Sequence, residues 1–197
     1  MKILNLYAGI GGNRKLWGDI NVTAIEYNQE IADIYKDFNP NDTVIVTDAH
    51  EYLAKHYMEY DFIWSSPPCQ SHSKVRMMAS KGGSYDAVMP DMNLWSEIIF
   101  LKHFANDKKW VVENVKPYYE PLIQPNQKLA RHYFWSNIDI PFIDIKDGLN
   151  HNQRGYAKTG FFDLSGYKIK HRKDQIIRNC VQPELGKYIF DCVNGTK

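Results

Sequence analysis

Three cysteines, Cys69, Cys180 and Cys192, stand in a chain of 197 residues, with no Cys-x-x-Cys pair among them. An odd, scattered set excludes a disulfide scaffold, and the missing paired spacing excludes a structural zinc site, so no metal is expected. Long apolar runs are also missing. Nothing approaches the roughly 18 consecutive apolar residues a membrane span requires, and no membrane association is expected. The opening Met1–Tyr7 stretch is cut short by Gly9, Gly11, Gly12, Asn13, Arg14 and Lys15. It reads as a strand rather than a secretory leader, which predicts a cytoplasmic protein. The Gly-x-Gly-x-x-Gly spacing of the dinucleotide fingerprint is absent, and so are repeats and low-complexity segments.

Net charge is nearly absent too, at +1, but its distribution is uneven. Arg154 to Arg178 holds seven Lys/Arg against Asp163 and Asp174, and Ser71 to Gly83 holds Lys74, Arg76 and Lys81 with no acid. These windows carry +5 and +3, leaving −7 for the rest. An acidic body with two basic patches points to a polyanion touched on one side.

Short apolar runs alternate with helix-like stretches. Strands are expected at 2–7, 22–26, 43–47, 62–65 and 110–112, and helices near 13–17, from 28, at 51–57 and at 92–104. This alternation predicts a doubly wound, mostly parallel α/β sheet. Further β structure is expected at 133–135 and 138–145, and the tail from Ile176 to Val193 reads as a return to the sheet. Three regions follow: a core over 1–135, a small basic and aromatic insert over 136–175, and a closing segment over 176–197.

In this class ligands bind beyond the carboxyl ends of the strands. The turn Tyr7-Ala8-Gly9-Ile10-Gly11-Gly12 lets backbone approach a ligand, with the expected helix N-terminus behind it as a weak positive pole. Glu26, at the next strand end, can accept from a ribose diol. Tyr27 offers a flat face for adenine, and Asp48, followed by Ala49, can accept from its amino group. These residues describe an adenosine-containing cofactor and leave NAD and S-adenosylmethionine undivided.

The fourth strand runs into Ser65-Ser66-Pro67-Pro68-Cys69-Gln70-Ser71-His72-Ser73. Two prolines fix the chain before the thiol, and Lys74 and Arg76 follow, a setting read as exposed and electropositive and so favourable to the thiolate. His72 as a base for Cys69 is the weaker alternative, three residues away with no orienting partner. The fifth strand ends in Glu113-Asn114-Val115, where a carboxyl shielded from bulk water can keep a proton and donate it.

Together, Tyr-x-Gly-x-Gly-Gly at 7–12, Pro68-Cys69-Gln70, Glu113-Asn114-Val115 in that order, the stretch Ala130-Arg131-His132-Tyr133-Phe134-Trp135 and Arg178-Asn179-Cys180-Val181 resemble the motifs of the DNA (cytosine-5)-methyltransferases. The resemblance implies a methyltransferase-type Rossmann-like fold, S-adenosylmethionine as cofactor with S-adenosylhomocysteine as product, and DNA as partner. It implies Cys69 as the nucleophile on C6 of a flipped cytosine, Glu113 at N3, Asn114 bracing the Cys69 loop, and cofactor contacts from Tyr7, Ala8, Gly9, Gly11, Gly12, Glu26, Tyr27, Asp48, Ala49, Pro68, Leu94, Asn179 and Val181. The family's arginine strand carries two arginines at i and i+2. Alignment on Tyr-Phe-Trp sets His132 at the second, and Arg131 is taken as the contact with base or phosphate.

Only 43 residues separate that strand from the last motif, Ser136 to Arg178, where the family places a larger target-recognition domain. Gln70, Ser73, Lys74, Arg76, Arg154, Lys168, Lys170, Arg172 and Lys173 are expected to contact DNA, with Tyr156, Phe161, Phe162 and Tyr167 stacking on or wedging between bases. Such a minimal clamp suits a second subunit or a homo-oligomer that completes recognition, and a bacterial or phage-infected cell. The same chemistry on RNA or free nucleotides, and a silent DNA-binding homologue, are the alternatives.

Overall fold

Five short strands, the central ones buried on both faces, set the architecture. In the computed structural model, which describes residues 1–145 and 157–196, these are β1 (Ile3–Leu6), β2 (Val22–Glu26), β3 (Thr43–Val46), β4 (Phe62–Ser65) and β5 (Lys109–Val115). They pair in parallel in the order β3-β2-β1-β4-β5. Two antiparallel strands, β7 (His132–Ser136) and then β6 (Gln127–Leu129), extend the sheet beyond β5. This is the doubly wound, mostly parallel α/β sheet of Rossmann-like type that the sequence predicts. The strand order reverses between β1 and β4, so their carboxyl ends flank the switch point where ligands bind.

Successive side chains point to opposite faces of the sheet. Leu4, Leu6, Ile63 and Val112 meet Leu53 of α2 (Ala49–His56) and Leu94, Trp95, Ile98 and Leu101 of α4 (Asn93–Phe104). Ile3, Phe62, Trp64, Val111 and Phe134 meet Leu185, Tyr188, Ile189 and Val193 of α6 (Pro183–Asn194) on the other. Each such side chain contributes about 1.5–3 kcal/mol by burial. Between β2 and β3, α1 (Gln29–Phe38) starts at Asn28, whose side chain accepts from the Ile31 amide. Among the described residues two short α-helices remain, α3 (Lys74–Lys81) and α5 (Lys173–Arg178), with a 3-10 turn over Tyr57–Glu59 after α2.

Several expectations are corrected. No helix forms over 13–17, where the chain makes turns. Asn13 exchanges side-chain hydrogen bonds with Asn5 on β1, and Arg14 binds Asp42 and the carbonyls of Gly18 and Ile20. Those tertiary bonds outcompete the i to i−4 ladder, so no helix terminus stands behind the glycine turn. Residues 138–145 form no strand, and Lys74–Lys81, to which the sequence reading assigns no element, is helical. The tail does not rejoin the sheet but covers it as α6, whose Leu185, Ile189 and Val193 recur at helical spacing.

The insert also differs from a free arm. Phe162 and Leu164 are buried with Ile10, Ile34 and Ile177, and Phe38 meets both Phe162 and Tyr167. With Phe161 packed against the same cluster, these rings serve the core rather than stacking on bases. Tyr156 and Arg154 lie outside the described residues.

Candidate active site

Asn114 ties the two chemical motifs together. Its buried side chain donates from Nδ2 to the Pro67 carbonyl at 2.9 Å, joining the end of β5 to the loop that carries Cys69. The Val115 amide donates to Asn114 Oδ1, which fixes the amide's orientation. The loop is closed further by the His72 amide donating to the Cys69 carbonyl at 3.1 Å.

Cys69 is half-buried, and burial with the Glu113 charge pushes its pKa up to about 11, against a smaller opposing effect of Arg131. The exposed, electropositive thiolate expected from the sequence is therefore corrected: at neutral pH this sulfur is a thiol. The Cys69–His72 pair is also excluded. His72 is fully buried with Nδ1 on the Tyr119 hydroxyl at 2.6 Å, and burial lowers its pKa.

Glu113 departs from expectation in the other direction. Burial raises its pKa, but His132, a Ser66 hydrogen bond and Arg131 more than offset this and bring it below the ordinary value. A carboxylate, not a carboxylic acid, occupies the site. His132 Nδ1 is in direct contact with Glu113 Oε1. The sequence reading sets His132 at the family's second arginine but gives it no role, because it looks for site residues only after strands. β7 runs antiparallel, so its first residues reach the same rim, with His132 opposite Val115.

Arg131 follows Ala130, which adopts a left-handed φ of 50°, and donates from Nη2 to the Arg178 carbonyl at 2.8 Å. Its charge reaches Cys69, Glu113 and the buried Cys180.

Across the switch point, Glu26 accepts from the Gly9 amide at 3.0 Å and the Asn28 amide at 2.9 Å. Tyr7, at φ 55°, donates its hydroxyl to Glu97 at 2.5 Å, and burial with Glu97 holds it protonated. Fully buried Glu97 also accepts from Ser65 at 2.6 Å and meets His50 at 3.0 Å, raising the His50 pKa.

The donor set fits a nucleoside cofactor. A Cβ on Gly9 would meet nothing within 4 Å, so the turn faces open space, and Tyr27 is 78% exposed beside the fixed Glu26 carboxylate. Asp48 caps α2 through the Glu51 amide and remains exposed. Pro68 and Asn179 are exposed, and Ala8 is buried behind the turn. Gly11 and Gly12 serve packing: a Cβ would strike Asn39 and Tyr35 at the first, Cys180 and Val181 at the second. Ala49, Leu94 and Val181 fill the core, with 4%, 1% and 5% exposure, where the sequence reading had them touching cofactor.

Among the expected DNA contacts, Gln70, Lys74, Lys168, Lys170 and Arg172 are exposed and Ser73 begins α3. Arg76 lies over the Tyr85 ring at 4.2 Å. Arg172 pairs with Asp174, and Lys173 donates to the Ser165 carbonyl at 3.1 Å. Among the described residues, no group of His, Cys, Asp and Glu could hold a metal, and no helix is long and apolar enough to cross a membrane.

Two curated relatives from Herpetosiphon aurantiacus match this chain. The Type II methyltransferase M.HgiCII is 28% identical over 188 residues, 94% of this chain and 38% of its own length. M.HgiBI is 28% identical over 132 residues, 66% of this chain and 28% of its own length. The chain thus spans well under half of either relative. A solved DNMT2 variant from Spodoptera frugiperda aligns at TM-score 0.41 and 24% identity, covering 58% of this chain and 35% of its own. A model of the C-5 cytosine-specific DNA methylases matches residues 1–128, which include the glycine turn, Cys69, Glu113 and Asn114. The chain belongs to that family.

Proposed function

We propose that this chain methylates C5 of cytosine in DNA through a transient bond between Cys69 and C6, with the base flipped out of the stack. The observation that carries this is the Asn114–Pro67 hydrogen bond, which sets the Cys69 loop against the rim that bears Glu113. S-adenosylmethionine would supply an electrophilic methyl group, and Gly9, Glu26, Tyr27 and Asp48 would hold it.

Protons balance in the resting site. The Cys69 sulfur attacks C6 as its proton passes to the Glu113 carboxylate, and the ring electrons move onto C5 while N3 takes a proton from Glu113. C5 is then a carbon nucleophile and accepts the methyl group. Loss of the C5 proton to a base rebuilds the C5–C6 double bond and expels the sulfur, and N3 returns its proton to Glu113. A thiol beside a carboxylate is the protonation state this sequence starts from. Flipping costs a few kcal/mol, least for a mismatched or single-stranded cytosine.

With fluorine at C5 the methylated adduct has no proton to lose, so a 5-fluorocytosine duplex with S-adenosylmethionine should trap the protein covalently, and Cys69→Ala should form no complex while keeping its thermal midpoint. Tritium transfer to DNA, tRNA and dCMP in parallel identifies the substrate. Label on tRNA or dCMP alone would move the chemistry to that substrate. Absence of both adduct and label would leave a silent DNA-binding homologue.

A further inference from the structure

We infer that His132 is a positioning residue for Glu113, holding its carboxylate by direct contact in the orientation in which it accepts the Cys69 proton. This rests on the function proposed above and gives a role to the residue that stands here where the family's arginine strand carries its second arginine.

The geometry comes from register. Glu113 lies opposite Phe134, and His132 is two residues along the same strand, so both project from one face as a diagonal cross-strand pair. Both are 5% exposed, and Nδ1 of the ring meets Oε1 of the carboxylate directly. A carboxylate taken this far out of water needs a partner or takes up a proton.

The neighbouring groups do not replace that partner. The β4 loop contributes Ser66 and Cys69, of which Ser66 hydrogen-bonds Glu113 and Cys69 is an uncharged thiol. Arg131, ahead of β7, lowers the Glu113 pKa less than His132 does, and one of its nitrogens is engaged by the Arg178 carbonyl. A guanidinium at position 132 would hold a fixed charge, whereas an imidazole is titratable.

The sign follows. Glu113 must be ionised to take the thiol proton, so adduct formation is lost as pH falls through the Glu113 pKa. His132 lowers that pKa and extends the active range toward acid. Two measurements test this: the Glu113 carboxyl midpoint by 13C NMR in the unliganded protein, and the rate of trapping on a 5-fluorocytosine duplex as a function of pH. Wild type should titrate below the ordinary glutamate range. His132→Asn, which can still donate one hydrogen bond, should raise the midpoint by about one pH unit or more. Its acid limb of trapping should move up with it, about tenfold in rate for each pH unit on the limb. His132→Arg should return the limb toward wild type, and His132→Gln serves if the Asn variant does not fold.

An unchanged midpoint and limb in His132→Asn would overturn the inference and leave His132 a packing residue. So would a wild-type Glu113 that titrates at or above the ordinary range. Should wild type trap no DNA at any pH, the proposed function fails, and the carboxyl midpoints alone decide the role of His132.

Discussion

Burial and an adjacent negative charge hold Cys69 in its protonated form, the reverse of what a sulfur followed by Lys74 and Arg76 suggests. Those cations lie on α3, beyond the turn, and the charges that reach the sulfur are Glu113 on β5 and Arg131 just ahead of β7. Sequence proximity therefore misjudges the field at this atom. The consequence is measurable as site-resolved alkylation. Iodoacetamide labelling of Cys69, followed by mass spectrometry, should be slow at pH 7 and rise toward a midpoint near about 11. Arg131→Gln removes the opposing positive charge, so its midpoint should lie higher and its labelling at pH 8 should be slower. A Cys69 midpoint near 8.5, or one indifferent to Arg131, contradicts this account of the site.

At the scale of elements, α6 shows how one missing side chain fixes a whole helix. A Cβ on Gly186 would come within 2.3–2.8 Å of the Asn13 backbone, and the Gly186 carbonyl accepts from the Trp17 indole at 3.1 Å. The helix therefore lies directly on the turn that follows the glycine motif, with Phe190 stacked on Trp17 at 4.8 Å. Gly186→Ala should cost about 1–3 kcal/mol in denaturant unfolding, because backbone atoms and not a side-chain tip would have to move. A change under about 0.5 kcal/mol would mean that the contact relaxes freely. The same contact explains what the sequence conceals. The five parallel strands, α1, α2 and α4 are legible as apolar periodicity, and so is the rim holding Gly9, Glu26, Asp48, Cys69 and Glu113. The absent helix over 13–17 is not legible, because Asn5, Asp42 and Gly186, which compete for that segment, lie elsewhere in the chain. Nor is the direction of β7, which alone brings His132 to the rim. Local pattern records propensity, whereas these outcomes depend on tertiary partners.

For the molecule as a whole, the two basic windows converge. Arg76 packs over Tyr85, and Arg172, from the other window, is close enough to Tyr85 to be influenced by it electrostatically. The loop after α3 thus lies between them, and among the described residues Phe161, Phe162 and Tyr167 pack into one cluster. Under the proposed function, what this leaves for DNA is mainly charge: Lys74, Arg76, Lys168, Lys170 and Arg172 against phosphate. About five phosphate contacts give a slope near −4.5 in log affinity against log salt, so binding should weaken by about 10²–10³-fold between 50 and 200 mM salt. Lys168→Ala with Lys170→Ala should lower the magnitude of that slope by about 2, and weaken binding to unrelated sequences by a similar factor. Phosphate contacts position a protein without reading sequence, so any base-specific recognition must come from residues beyond this group. An affinity indifferent to salt would show that these cations do not face DNA, and would return Arg76 and Arg172 to a purely structural part around Tyr85 and Asp174.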